Sequence, residues 1–133
     1  MFFAAAILPL CAGMSAAVAH GDTPQGHVVK YVVSADRTVR THIYYRDVDP
    51  PTWADYSHNP YAFSPRIDAE IGPGQQWTIE VVLVDPNEWA MVATTAADTS
   101  ASPPQIHCLL SIDRTLVVSN DGPRGSLCSL RNW

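Results

Sequence analysis

From residue 27 onward the chain is built from short apolar runs with hydrophobic side chains at every second position, separated by polar, proline-containing or glycine-containing breaks. Period two marks strands with one buried face, because successive side chains point to opposite sides. The first runs cover 27–34 (HVVKYVVS) and 38–46 (TVRTHIYYR). In the second, Val39, Thr41, Ile43 and Tyr45 share one face and Thr38, Arg40, His42 and Tyr44 the other, which predicts a half-buried antiparallel strand. Residues 66–71 alternate with Ile67, Ala69 and Ile71 inward, and Gly72-Pro73-Gly74 turns the chain into 76–84. There Trp77, Ile79, Val81 and Leu83 align while Val82 and Val84 keep the opposite face partly apolar, so this run is predicted to be a central strand. A strand over 88–95, with Trp89, Met91 and Ala93 aligned, and a polar connector over 96–104 follow.

The C-terminal quarter carries the strongest pattern. Apolar runs at 106–112 and 116–118 flank Asp113-Arg114-Thr115, which predicts a hairpin, and Asn120-Asp121-Gly122-Pro123 predicts a second turn before a short strand at 127–130. Alternation puts Ile106, Cys108, Leu110 and Ile112 inward, where Cys128 can meet Cys108. A bridge closing a loop of about twenty residues stabilises a fold by ~3 kcal/mol on the chain-entropy model. Two buried free thiols are the alternative.

Seven or eight short strands with turns at regular spacing, and no helical period after residue 19, indicate an all-β fold, an antiparallel β-sandwich of immunoglobulin-like architecture. The disulfide and tryptophan spacing of antibody domains is absent. Residues 20–133 are read as a single sandwich domain, within the usual size of ~100–200 residues.

Residues 47–63 (DVDPPTWADYSHNPYAF) break the pattern. Three prolines prevent regular pairing, yet the segment concentrates Trp53, Tyr56, His58 and Tyr61. Long loops in compact domains are often functional. Two readings stay open, a lid folded over one end of the core or a contact surface for a partner, since aromatics are enriched in both.

Composition adds the compartment. Residues 1–19 carry no charge and end in Ala17-Val18-Ala19, a small-x-small pattern that reads as a cleavable signal peptide, with an uncleaved membrane anchor as the alternative. Cys11 falls inside that segment, leaving Cys108 and Cys128 as a pair suited to an oxidising compartment. The expected location is therefore secreted or on the outer side of the cell envelope. A net charge of −5 with scattered basic residues argues against nucleic acid as a partner.

Catalytic constellations are not apparent. The five histidines show no His-x-x-x-His spacing, Glu70 and Glu80 read as solvated face residues, and no nucleophile elbow occurs. Neither an enzyme nor a cofactor is expected. One metal reading is specific: cleavage after Ala19 would expose His20, whose amine and imidazole can chelate copper together, although an ordinary chain start is the simpler account.

The order of features, HVVKYVV, then Ile43-Tyr44-Tyr45, Trp77-Thr78-Ile79-Glu80-Val81, Trp89-Ala90-Met91-Val92-Ala93 and Ile106-His107-Cys108-Leu109-Leu110-Ser111-Ile112-Asp113 with a later cysteine, resembles the MmpS family. These are small extracytoplasmic accessory proteins of RND-type MmpL lipid and siderophore exporters in mycobacteria and related actinobacteria. Cys108, Leu110, Ile112, Asp113 and Cys128 match that family's C-terminal disulfide hairpin, while Arg114 replaces its glycine, the family's basic stub before the apolar segment is not seen in this sequence, and the loop at 47–63 looks longer than the family's. The resemblance implies a non-enzymatic accessory protein with an RND-type transporter as partner, and the aromatic loop supplies Trp53, Tyr56, His58 and Tyr61 as contact candidates. The alternative is an envelope module binding a lipid, glycan or other protein through the same loop.

Overall fold

The computed structural model describes residues 25–97 and 101–132. The proposed leader at 1–19 and the copper candidate His20 lie outside them. Among the described residues eight strands form two antiparallel sheets, so the all-β sandwich stands: β1 His27–Ala35, β2 Val39–Tyr45, β3 Arg66–Ile71, β4 Trp77–Leu83, β5 Met91–Ala96, β6 Gln105–Ile112, β7 Thr115–Pro123 and β8 Gly125–Ser129. The first sheet has the order β4-β1-β6-β7 and the second β3-β2-β5-β8. β1 and β6 supply Val29, Tyr31, Val33, Ile106, Cys108 and Leu110 to a core met by Ile43 and Val92 from the second sheet, all without solvent exposure. Cys108 and Cys128 are bonded, joining β6 in one sheet to β8 in the other.

Four details differ from the sequence expectation. β4 is an edge strand, paired among the described residues with β1 alone, and its outward Val82, like Val84 just after the strand, lies in solvent. An apolar second face is thus no proof of a central position. Residues 86–89 form a short helix, α2 (Pro86–Trp89), before β5 begins. Asp85 caps it and Pro86 starts it, as proline does well where no amide donor is needed. β7 runs straight through Asn120-Asp121-Gly122-Pro123, because β6 continues to pair with it as far as Gln105 opposite Pro123. The chain reverses instead at Arg124, in the left-handed region with φ 65°. Finally, the β6–β7 turn is two residues, Asp113 and Arg114, with φ 49° and 70°, as a tight hairpin turn of primed type demands.

The two ends of the sandwich are closed differently. At one end tight turns suffice: Gly72 and Gln75 exchange backbone hydrogen bonds of 2.9 and 3.0 Å, and Gly125 passes so close to β5 that an added Cβ would lie 2.5 Å from the Thr94 carbonyl oxygen. At the other end β2 leaves its sheet and the segment 47–63 lies across the opening.

Candidate functional site

The covering segment is not structureless. Thr52 caps helix α1 (Trp53–His58), its hydroxyl accepting from the Asp55 amide at 3.1 Å and donating to the Asp55 carboxylate at 2.8 Å. A single 3-10 turn, Pro60–Phe63, leads into β3. Asp49 moors the start of the lid, because its two carboxylate oxygens accept from the Val84 and Asp85 amides, each at 2.8 Å.

Arg46 holds the lid down. It follows the last inward residue of β2 and is wholly buried. Its Nε donates to the Trp89 carbonyl at 3.1 Å, and its Nη1 donates to the Ser64 hydroxyl and, at 3.5 Å, to the Phe63 carbonyl. Its guanidinium carbon sits 4.5 Å from the Tyr56 ring centre and 5.9 Å from that of Trp89. A buried cation needs such compensation, since desolvation alone costs several kcal/mol. Below it, the Tyr31 hydroxyl donates to the Arg46 carbonyl at 2.8 Å and accepts from the Met91 amide at 3.3 Å. Burial pushes the Tyr31 phenol well above its ordinary range, the Met91 hydrogen bond opposing only part of that, so it remains a neutral donor.

Three aromatic rings complete the arrangement. Trp53, Tyr56 and Trp89 contact one another with centroids 5.2 to 5.4 Å apart, Trp53 meeting Trp89 edge-on at 83°. The Arg131 guanidinium lies 3.7 Å over Trp53 and donates to Glu88. Arg46, Tyr56, Trp53 and Arg131 thus follow one another across the end of the sandwich, an arginine against each outer ring, a favourable use of the negative ring faces.

The four loop residues named from sequence therefore divide. Trp53 and Tyr56 are gathered into the stack, though Trp53 keeps 43% of its surface exposed. His58 and Tyr61 stand in solvent, Tyr61 at 76%. One part of the segment packs onto the end of the sandwich and another part is left in solvent. Arg46, Trp89 and Arg131 were not signalled: Arg46 follows inward-facing Tyr45 and reads as an outward charge, and Trp89 reads as part of a strand.

Elsewhere, three histidines pair with aspartates on strand surfaces: His27 with Asp113 at 2.6 Å, His42 with Asp68 at 2.6 Å and His107 with Asp121 at 2.7 Å. Hydrogen bonds from Arg66 first, and then from His42, hold the Asp68 carboxyl down at about 2. Hydrogen bonds from His27 and then the Val28 amide lower that of Asp113. Among the described residues no group of three or more His, Cys, Asp or Glu is placed to hold a metal. Glu70 and Glu80 lie in different sheets.

The family model of the Rv2576c beta-sandwich domain matches residues 31–128, from Tyr31 in β1 to the second half-cystine. This chain belongs to the Rv2576c β-sandwich family. Relatives include the proteins Rv2576c of Mycobacterium tuberculosis and Mb2606c of Mycobacterium bovis, each 34% identical over 121 residues, covering 91% of this chain and 77% of theirs. The matched region contains the lid, the stack up to Trp89 and the disulfide.

These findings correct the MmpS resemblance, since neither the family nor the relatives indicate MmpS. The reason is physical. An inward cysteine on an alternating strand and a later inward cysteine suit any sandwich whose two sheets are joined by a disulfide, as β6 and β8 are here, and so do not mark one family. An RND-type transporter as partner rests on that resemblance alone.

Proposed function

We propose that this chain is a non-enzymatic binding module of the cell envelope or the extracellular space, immunoglobulin-like in architecture and delivered by residues 1–19, which engages a lipid, glycan or protein through its lid. One observation carries the reading: exposed Trp53 and Tyr61 ride on a segment locked to the core by buried Arg46. A surface already ordered before contact loses less entropy on binding, and aromatic residues supply much of the contact energy at interfaces. The Cys108–Cys128 bond supports an oxidising compartment.

The test places a photo-crosslinking amino acid at Tyr61, and separately at Gln75 on the turn end, in the native host. Adducts at Tyr61 that Gln75 does not give, and that Trp53→Ala abolishes, support the reading. Equal labelling at both positions removes it.

A further inference from the structure

The outer face of the first sheet carries a depression of about 610 Å³ beside the β6–β7 turn, lined by Val28, Lys30, Glu80, Ser111, Asp113 and Arg114. Its volume is that of a small-molecule site. Strand register fixes how these groups are laid out. Glu80 on β4, Lys30 on β1 and Ser111 on β6 stand side by side in one row, with Lys30 in the middle. Two residues along the strands, Val82 lies opposite Val28. Asp113 sits on the other side of Val28, its amide donating to the Val28 carbonyl at 2.8 Å, and Arg114 follows it in the turn.

The charges here are not equally engaged. Both Asp113 carboxylate oxygens are occupied, one by the Val28 amide at 3.0 Å and the other by His27 Nδ1 at 2.6 Å. Lys30 and Glu80 lie directly opposite each other, close enough for side chains of this length to pair. Yet among the described residues neither Lys30, nor Glu80, nor Arg114 forms an ion pair. An ammonium, a guanidinium and the Ser111 hydroxyl thus border one concave surface with no carboxylate bound to either cation. Such donors suit an oxyanion, arginine as a two-pronged donor and lysine as a compact charge. Glu80, on the far side of Lys30, opposes a doubly charged group and favours a single negative charge. Val28 and Val82, 42% and 61% exposed, add aliphatic surface that a purely ionic ligand would leave wet.

We propose that this depression binds the singly charged oxyanion head, carboxylate or phosphodiester, of an amphiphile. Lys30, Ser111 and Arg114 are its donors, and Val28 and Val82 lie against its apolar part. None of these residues belongs to the lid, so the lid and the depression can be tested independently.

The test follows the amide NMR spectrum of the isotope-labelled chain, purified as its host makes it, during titration with sodium decanoate. Additions up to about 10 mM suffice for an affinity of ~1 mM. Saturable shifts at Val28, Lys30, Ser111 and Arg114 are expected, and added salt should weaken them. Lys30→Gln and Arg114→Asn should each weaken binding at least fivefold, asparagine being chosen because it tolerates the left-handed backbone of the turn. Glu80→Gln should tighten binding at least twofold, which a merely structural role for this row would not produce. Unchanged melting temperatures would show that the variants remain folded. The absence of saturable shifts at these residues overturns the proposal. So does decanol binding as tightly as decanoate, or a response indifferent to both Lys30→Gln and Arg114→Asn. Phosphatidylglycerol vesicles then identify the source of the head group. Co-sedimentation that both substitutions abolish assigns it to a bilayer lipid, and decanoate binding without co-sedimentation assigns it to a soluble acid.

Discussion

The turn end of the sandwich is shaped by backbone and the lid end by side chains. Gly72, Gly125 and the left-handed Arg124 close one end through positions that tolerate few atoms. Arg46, Asp49 and three aromatic rings close the other through contacts that a substitution can remove singly. A closure made by side chains can present different residues to solvent while its anchor stays fixed. Tight turns offer little such latitude, and this makes the lid end the better place for a binding surface.

The largest effect should come from Arg46→Ala, which strips the buried anchor and leaves the Trp89 and Phe63 carbonyls without their donor. A loss of about 3–5 kcal/mol is expected in urea unfolding, because a large, wholly buried side chain is removed together with its hydrogen bonds to Trp89, Phe63 and Ser64. A loss below about 1 kcal/mol would mean that the lid is held by something else. Next, Cys108→Ala combined with Cys128→Ala should cost about 3 kcal/mol, because a loop set by a separation of 20 residues regains its freedom in the unfolded chain. This variant should loosen both ends alike, and the fluorescence of lid and core tryptophans should change in one transition.

Gly125→Ala sharpens the contrast from the other side. The new methyl group would press on the Thr94 carbonyl, for a cost of about 1–3 kcal/mol typical of overpacking. Near-UV circular dichroism of the lid tryptophans should stay as in the parent protein; a changed spectrum would show that the ends are coupled. Trp53→Ala should then cost about 1–2 kcal/mol, the ring being partly exposed and its loss removing two aromatic pairs and the Arg131 contact.

The smallest effect concerns acid. Asp68 titrates near 2 in the folded protein because Arg66 and then His42 bond its charged form, whereas an unfolded aspartate titrates near ~3.9. Between these values the unfolded chain binds more protons. The contribution is therefore present above about pH 4 and fades as the pH falls towards 2. Asp68→Asn should flatten the low-pH limb of melting temperature against pH by a small amount, since the pair is exposed. A limb of unchanged slope would place the acid sensitivity in other carboxylates.

Sandwich class, most strand positions and the disulfide partners could be read from the alternation of residues. The periodicity of β1, β2, β3 and β6 records which face is buried, and the pairing of Cys108 with Cys128 follows from parity. Strand neighbours could not be read. β4 carries the double-sided apolar pattern of an inner strand yet lies at an edge, because alternation records which face is buried and not which strands pair alongside. At the candidate site, Trp53 and Tyr56 stood out by type, while Arg46 did not. What makes Arg46 an anchor is the meeting of β2, α1, α2 and residues 63–64, which are distant in sequence. Asn120-Asp121-Gly122-Pro123 misleads for a related reason, since its turn chemistry yields to continued pairing with β6.

The contact between Trp53 and Trp89 has an optical consequence. Two indoles with centroids 5.2 Å apart, held well away from parallel, couple their electronic transitions and act as a source of exciton-split circular dichroism. One ring belongs to the lid and the other to the helix that precedes β5, so the couplet reports whether the lid is seated. The protein thereby carries an intrinsic gauge of its own closure, readable in dilute solution without a label or a known ligand.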